Sequence, residues 1–221
     1  MTKFDSLFDD SVPLILKQEH QRETPPVEGG RWPLSVALYP DGELGEALEG
    51  AMLEALEFAG PGHWQTGRRG SAHLTVRALE YYRDDVPPGD PFVTRCHQAL
   101  QAAAVGPTSF EVFGLTLTAG TLMACARPTD DRADLLMDRL AVELGEDGWL
   151  EAPYGRRDIW YLNLIHFAAD LARPELLVEW VAKRRTHHLG SVTIPTASLV
   201  RFRYDETAGY PFMRPEVLAV V

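Results

Sequence analysis

Apolar residues along this chain change repeatedly between two spacings, and the changes predict strands alternating with helices. The apolar-rich run from Trp32 to Tyr39 suits a strand, and beyond Asp41-Gly42 the residues Leu44, Leu48, Met52 and Leu56 recur on one helical face. Gly60-Pro61-Gly62 closes that helix. From Ser71 to Leu79 apolar and polar positions alternate, so His73, Thr75 and Arg77 share one face of a strand while Leu74 and Val76 take the other. Asp90-Pro91 offers a cap and a first-turn proline for a second helix carrying Phe92, Cys96 and Leu100.

The same alternation continues to the carboxyl end. Phe110–Leu117 and Thr121–Arg127 flank Thr118-Ala119-Gly120 and read as a hairpin. A third helix over 131–144 follows through Leu136, Leu140 and Leu144, and a Gly-, Pro- and Arg-bearing loop over 145–157 is long enough to overhang a groove. Residues 159–168 are strand-like, and Pro174 opens a fourth helix that buries Leu177, Trp180 and Val181. Strand candidates at 191–194, 198–204 and 216–220 complete the order. Strand–helix pieces recur in both halves, and each half holds one strand with polar residues two apart: His73 and Thr75 in the first, Tyr161 and Asn163 in the second.

Ahead of this pattern, residues 1–30 mix a short apolar patch at Val12–Leu16 with polar, Pro- and Gly-containing sequence, an arm before a domain over 31–221. The arm has no long apolar run, so neither a secretory signal nor a membrane anchor is expected and the location indicated is cytoplasmic. A net charge of −11 argues against long nucleic acid as a partner, because tracking a phosphate backbone needs Lys and Arg in excess. Cys96 and Cys125 sit in apolar segments and read as small core residues, not as a disulfide or metal pair. His187-His188 after Lys183-Arg184-Arg185 lacks a metal-ligand pattern and reads as a basic helix end. No phosphate-cradling or dinucleotide fingerprint is present, so no cofactor and no metal is expected.

An imidazole beside a hydroxyl on one strand face suits an oxyanion: histidine exchanges a proton near neutrality and threonine donates a hydrogen bond. A strand whose solvated face merely carries polar groups is the plain alternative. His73-Leu74-Thr75-Val76, placed after a first strand–helix unit and followed by a similar arrangement in a second half, resembles the two-histidine phosphoesterase superfamily, which includes 2′-5′ RNA ligase-like proteins and cyclic phosphodiesterases. The resemblance rests chiefly on residues 71–79 and 158–167. It implies an α+β, bilobal fold, two pseudo-symmetric lobes whose antiparallel sheets enclose a central groove with helices outside. It also implies a metal-independent enzyme using two histidines and two hydroxyl residues around a phosphodiester.

The second motif departs from the family pattern. In Trp160-Tyr161-Leu162-Asn163-Leu164-Ile165-His166-Phe167 the aligned positions hold Tyr161 and Asn163 in place of the second histidine and its threonine. His166 shares the parity of Trp160, Leu162 and Leu164, which places it on the helix-packed side or near the strand end as a structural histidine. Tyr161 and Asn163 still donate hydrogen bonds, so anion binding survives, whereas a phenol with a pKa of about 10 is a poor base near neutrality. The resulting site is His73, Thr75, Tyr161 and Asn163, with Arg77, Trp64, Tyr154 and Arg157 as substrate-binding candidates. Arg156 beside Arg157 could serve from the same loop, and His63 precedes Trp64. The expected partner is a small phosphoester or cyclic phosphate, with a nucleotide or short RNA end among the candidates. A repurposed acid/base enzyme for a non-phosphate metabolite and a non-catalytic ligand-binding protein stay open beside it.

Overall fold

The computed structural model describes residues 2–205 and 207–221. Eight strands make one antiparallel sheet: β1 (Leu34–Leu38), β2 (Leu74–Glu80), β3 (Thr108–Leu117), β4 (Thr121–Pro128), β5 (Trp160–His166), β6 (Gly190–Ile194), β7 (Ser198–Tyr204) and β8 (Met213–Val220). Their spatial order, β6-β3-β4-β5-β2-β1-β7-β8, sets two four-strand halves side by side. The halves meet where Leu74 of β2 pairs with Leu162 of β5. The two lobes expected from the sequence are therefore halves of one curled sheet, each contributing its motif strand to the seam.

Among the described residues five α-helices accompany the sheet: α1 (Lys3–Leu16), α2 (Gly42–Ala59), α3 (Pro91–Ala103), α4 (Arg132–Leu144) and α5 (Pro174–Ala182). α3 pairs with α4, which lies against β2, β3 and β4, while α2 pairs with α5 and reaches β5 and β6. The apolar stripes read from the sequence face this way. Leu44, Leu48 and Met52 of α2, Cys96 and Leu100 of α3, and Leu136 and Leu140 of α4 are buried with Leu38, Leu74, Val76 and Leu162 in one continuous core. Asp90 caps α3 as expected, accepting from the amides of Phe92 and Val93. Cys96 and Cys125 are free and buried, and burial pushes both thiols up to about 12.

The other sheet face carries a smaller cluster of Trp32, Ala37, Trp64, Tyr82, Val200, Phe202 and Met213. Aromatic rings thus fill part of the face that the helices leave open. Among the described residues no helix is long and apolar enough to cross a membrane.

The arm is more ordered than its sequence indicates. Thr2 and Asp5 form a reciprocal capping box at the start of α1. Lys3 pairs with Asp158 at 2.6 Å, Asp5 pairs with Arg185, and the ring of Phe4 lies 5.9 Å edge-on from Phe113 of β3. Beyond α1 the chain stays attached through main-chain bonds from Gln21 N to Ala119 O, Glu23 N to Phe167 O and Gly29 N to Tyr82 O.

Candidate active site

The seam between β2 and β5 places the four motif residues together. Since Leu74 pairs with Leu162, His73 stands across from Asn163 and Thr75 across from Tyr161 in the same antiparallel register. All four are half-buried, while Leu74 and Leu162 are sealed under the helices. β1 supplies the neighbouring row, for Leu38 pairs with Leu74 and brings Tyr39 beside His73. The His73 ring lies 5.5 Å from Tyr39 and 5.2 Å from Phe202, centroid to centroid.

One hydrogen bond defines the imidazole. Nδ1 of His73 lies 2.8 Å from the carbonyl oxygen of Ser71, which can only accept, so Nδ1 carries the proton and Nε2 keeps its lone pair. Burial, opposed by the Ser71 bond and aided by the positive charges of His166 and Arg157, lowers the His73 pKa to about 4. The ring is therefore neutral, with an acceptor available, throughout the physiological range.

That shift has a consequence for stability. Between about pH 4 and 6.5 the unfolded chain holds a proton on His73 that the folded chain does not, so stability is full above pH 6.5 and falls as pH drops toward 4. The shift corresponds to about 3 kcal/mol at most. His63 and His166 are displaced in the same direction by burial and add to the acid sensitivity. Urea denaturation at pH 7.5 and 4.5 should show a smaller loss for His73→Gln than for wild type; an equal loss would exclude a neutral, shifted His73.

The second half of the row is held by the loop over 145–157. Arg157 donates from Nη1 to the Tyr161 hydroxyl at 3.1 Å and from Nη2 to Glu151 Oε1 at 2.8 Å. Burial opposes the charge on Arg157, but Tyr161 and Glu151 hold its pKa above the ordinary arginine value. Because the phenol oxygen accepts from Arg157, its own hydrogen is left to donate. Asn163 Oδ1 is sealed without a partner, a costly state for an amide oxygen. Arg77 projects from the same strand face but donates to Gly148 O at 2.8 Å, so it ties the loop down instead of extending as a free rim cation. Glu151 also accepts from Ala78 N, and sequence inspection had no signal for this carboxylate, whose role depends on where the loop folds back.

A cavity of about 640 Å³ opens beside Tyr161, lined by Arg157, Tyr154, Tyr81, Leu150, Pro33 and Arg31 among others. Tyr154 is 81% exposed at its rim. Arg156 also borders this cavity, with its guanidinium paired to Asp138 at 2.8 Å.

Two expectations need correction. Trp64 is not a stacking surface for a ligand: it is 2% exposed and packs against Trp32 and Tyr204, while its main chain bridges to His166. Its neighbour His63 is a satisfied core residue, with Nε2 on Ala59 O and Nδ1 accepting from Ala168 N. His166, in turn, is the last residue of β5, which agrees with the expected place near the strand end, but it does not lie on the helix-packed side. The β4–β5 ladder runs Met123 to Asn163, then Leu122 to Ile165 and Thr121 to His166, skipping Leu164. That bulge reverses the alternation and delivers His166 to the face of Asn163, where its ring lies 5.1 Å from Trp32.

No protein-family model matches the chain, and no curated protein matches it by sequence. Solved structures match it by fold. TT0787 of Thermus thermophilus aligns with a TM-score of 0.57 and 18% identity, over 85% of this chain and 95% of its own. LigT of E. coli in complex with 3′-AMP aligns with a TM-score of 0.60 and 12% identity, over 86% and 97%. A protein described as a phosphoesterase aligns with a TM-score of 0.59 and 11% identity, also over 86% and 97%. The α+β architecture with its curled antiparallel sheet is thus the two-histidine phosphoesterase fold.

Proposed function

We propose that this protein, built on the two-histidine phosphoesterase fold, acts on a small phosphoester or cyclic phosphate of nucleotide size. The observation that carries this reading is the facing of His73 and Thr75 with Asn163 and Tyr161 across a single seam, with a neutral imidazole whose Nε2 is unprotonated. LigT, the E. coli neighbour, has been crystallised with 3′-AMP, with ATP and with phosphate, which supports a phosphate-bearing ligand of that size here.

In the proposed reaction His73 takes the proton from an attacking water as its oxygen bonds to phosphorus, and as the bond from phosphorus to the leaving oxygen breaks that oxygen takes a proton from solvent water, leaving one monoester with a free hydroxyl. The hydroxyls of Thr75 and Tyr161 and the amide of Asn163 donate to the non-bridging oxygens, on which negative charge grows in the transition state. Arg157, fixed over Tyr161 and balanced by Glu151, supplies the positive field. Among the described residues no cluster of three His, Cys, Asp or Glu could hold a metal ion, and the proposed chemistry calls for none.

Purified protein incubated with 2′,3′-cyclic mononucleotides in EDTA, followed by phosphorus NMR, tests the reading. Saturable conversion to a single monoester regioisomer is the expected result. Saturable binding with no product would point to a ligand-binding protein, and neither binding nor conversion of any phosphate ester would end the proposal.

A further inference from the structure

The proposed reaction fixes where the organic half of the substrate must lie. Side chains two apart on one strand face stand roughly 7 Å from each other, so His73 with Asn163 and Thr75 with Tyr161 make two steps along the seam. The attacking water belongs at the first step, because His73 accepts its proton. In-line displacement at phosphorus then puts the leaving oxygen on the opposite side, toward Thr75 and Tyr161. In a 2′,3′-cyclic phosphate both ester oxygens belong to one ribose, so the nucleoside follows the leaving oxygen to that side.

The two ends of the seam differ in the same sense. At the His73 end rings fill the sheet face: Tyr39 and Phe202 flank the imidazole, and Trp32, 8% exposed, lies against Phe202 and against His166 beyond Asn163. At the Tyr161 end the cavity of about 640 Å³ opens instead, and Tyr81 and Tyr154 are among its walls. Tyr81, 47% exposed, follows β2 and is braced edge-on by Trp149 at 5.6 Å. Tyr154 rides on the loop over 145–157, which Arg77 and Ala78 of β2 hold through Gly148 O and Glu151. A single exposed aromatic is ordinary on a protein surface, but Tyr81, Trp149 and Tyr154 gathered at one cavity present ring faces for a planar ligand to cover. Arg31, Arg156 and Arg157 outnumber Glu151 and Asp158 in the lining, so the cavity is locally positive on a chain of net charge −11.

We propose that the cavity beyond Tyr161 receives the nucleoside on the leaving-oxygen side, and that Tyr81 and Tyr154 stack its base and so set the substrate class: cyclic phosphates that carry a planar ring, in preference to those of glycerol or a bare sugar. This rests on the phosphoesterase reading above. Ring faces beside positive charge, one step along the seam from the attacking water, match a base carried on a phosphorylated ribose. Stacking reads the face of a base and not its edges, so adenine and uracil substrates should differ by only a few fold.

The test compares kcat/KM on 2′,3′-cyclic AMP with kcat/KM on glycerol 1,2-cyclic phosphate, which has the same five-membered phosphate ring and no base. Wild type should favour the nucleotide. Tyr81→Ala and Tyr154→Ala should each cut that preference about fivefold or more, through KM, while Tyr81→Phe and Tyr154→Phe keep it. Both rings are largely exposed, so their removal leaves the core intact. A preference that survives both alanine substitutions, or that falls as far in the phenylalanine variants, would overturn the subsite; with His73→Ala inactive, the phosphoesterase reading would stand. For a wild type without turnover, saturation-transfer NMR with 3′-AMP decides. The base protons should receive more saturation than the ribose protons and lose it in the Tyr81→Ala/Tyr154→Ala double variant. Saturation centred on the ribose, or binding of inorganic phosphate without 3′-AMP, would overturn the subsite alone, and binding of neither would end both readings.

Discussion

Replacing His73 with alanine should lower kcat on a 2′,3′-cyclic substrate by about a hundredfold to ten-thousandfold with little change in KM, the usual worth of one positioned acid or base. The expectation follows from the site geometry. Nδ1 is committed to Ser71 O, so the only proton the ring can accept goes to Nε2, and no neighbouring side chain offers a substitute base: Tyr39 beside it has its phenol pKa raised by burial, and Thr75 carries a hydroxyl. Binding should persist because Thr75, Tyr161, Asn163 and Arg157 remain. A variant that keeps wild-type turnover would remove the basis for a histidine mechanism. Since the ring also fills space between Tyr39 and Phe202, His73→Gln and a thermal melt separate lost chemistry from lost packing.

The largest effect on stability is expected away from the site, at Gly114 in β3. A Cβ there would fall within the main-chain carbonyl of Arg185, on the segment leading from α5 to β6 that runs along the edge of β3. That segment is joined to β3 by Leu115 N to Arg184 O and Leu189 N to Val112 O, so it cannot withdraw without breaking those bonds. Arg185 in turn pairs with Asp5 and Asp9 of α1, which carries the displacement into the arm. Gly114→Ala should cost about 3 kcal/mol or more and lower Tm by roughly 6–12 °C, the upper range for overpacking because backbone and not a rotamer must move. Gly50→Ala, in α2 with nothing within 4 Å of the added Cβ, should instead gain about 0.5–1 kcal/mol from helix propensity. Equal melting curves for the two variants would show that the β3 edge yields more easily than its contacts indicate.

Much of the architecture was readable because its causes are local. The cap at Asp90, the apolar stripe of α2 and the pleat over residues 74–80 depend on neighbours within a few positions, and they place Leu44, Leu100 and Val76 in the core as the spacing requires. The facing of His73 and Thr75 away from that core followed from the same period of two. Helix α1 could also have been read, since Thr2 and Asp5 carry its capping signal, but the short apolar patch in a Pro- and Gly-containing arm concealed it.

What sequence alone decided, then, is which residues lie on which face while pairing stays regular, and that put His73, Thr75, Tyr161 and Asn163 on the faces turned from the core, where the family resemblance marked them as a candidate site. Tertiary structure decided the rest: Trp64 buried by Trp32 and Tyr204, Gly114 pressed against Arg185, and His166 turned off the helix-packed side to lie against Trp32. Each depends on a partner far along the chain. The alternation rule counts residues within one strand, whereas a bulge is a mismatch between two; β5 skips Leu164 only because β4, some forty residues earlier, pairs with it in that register.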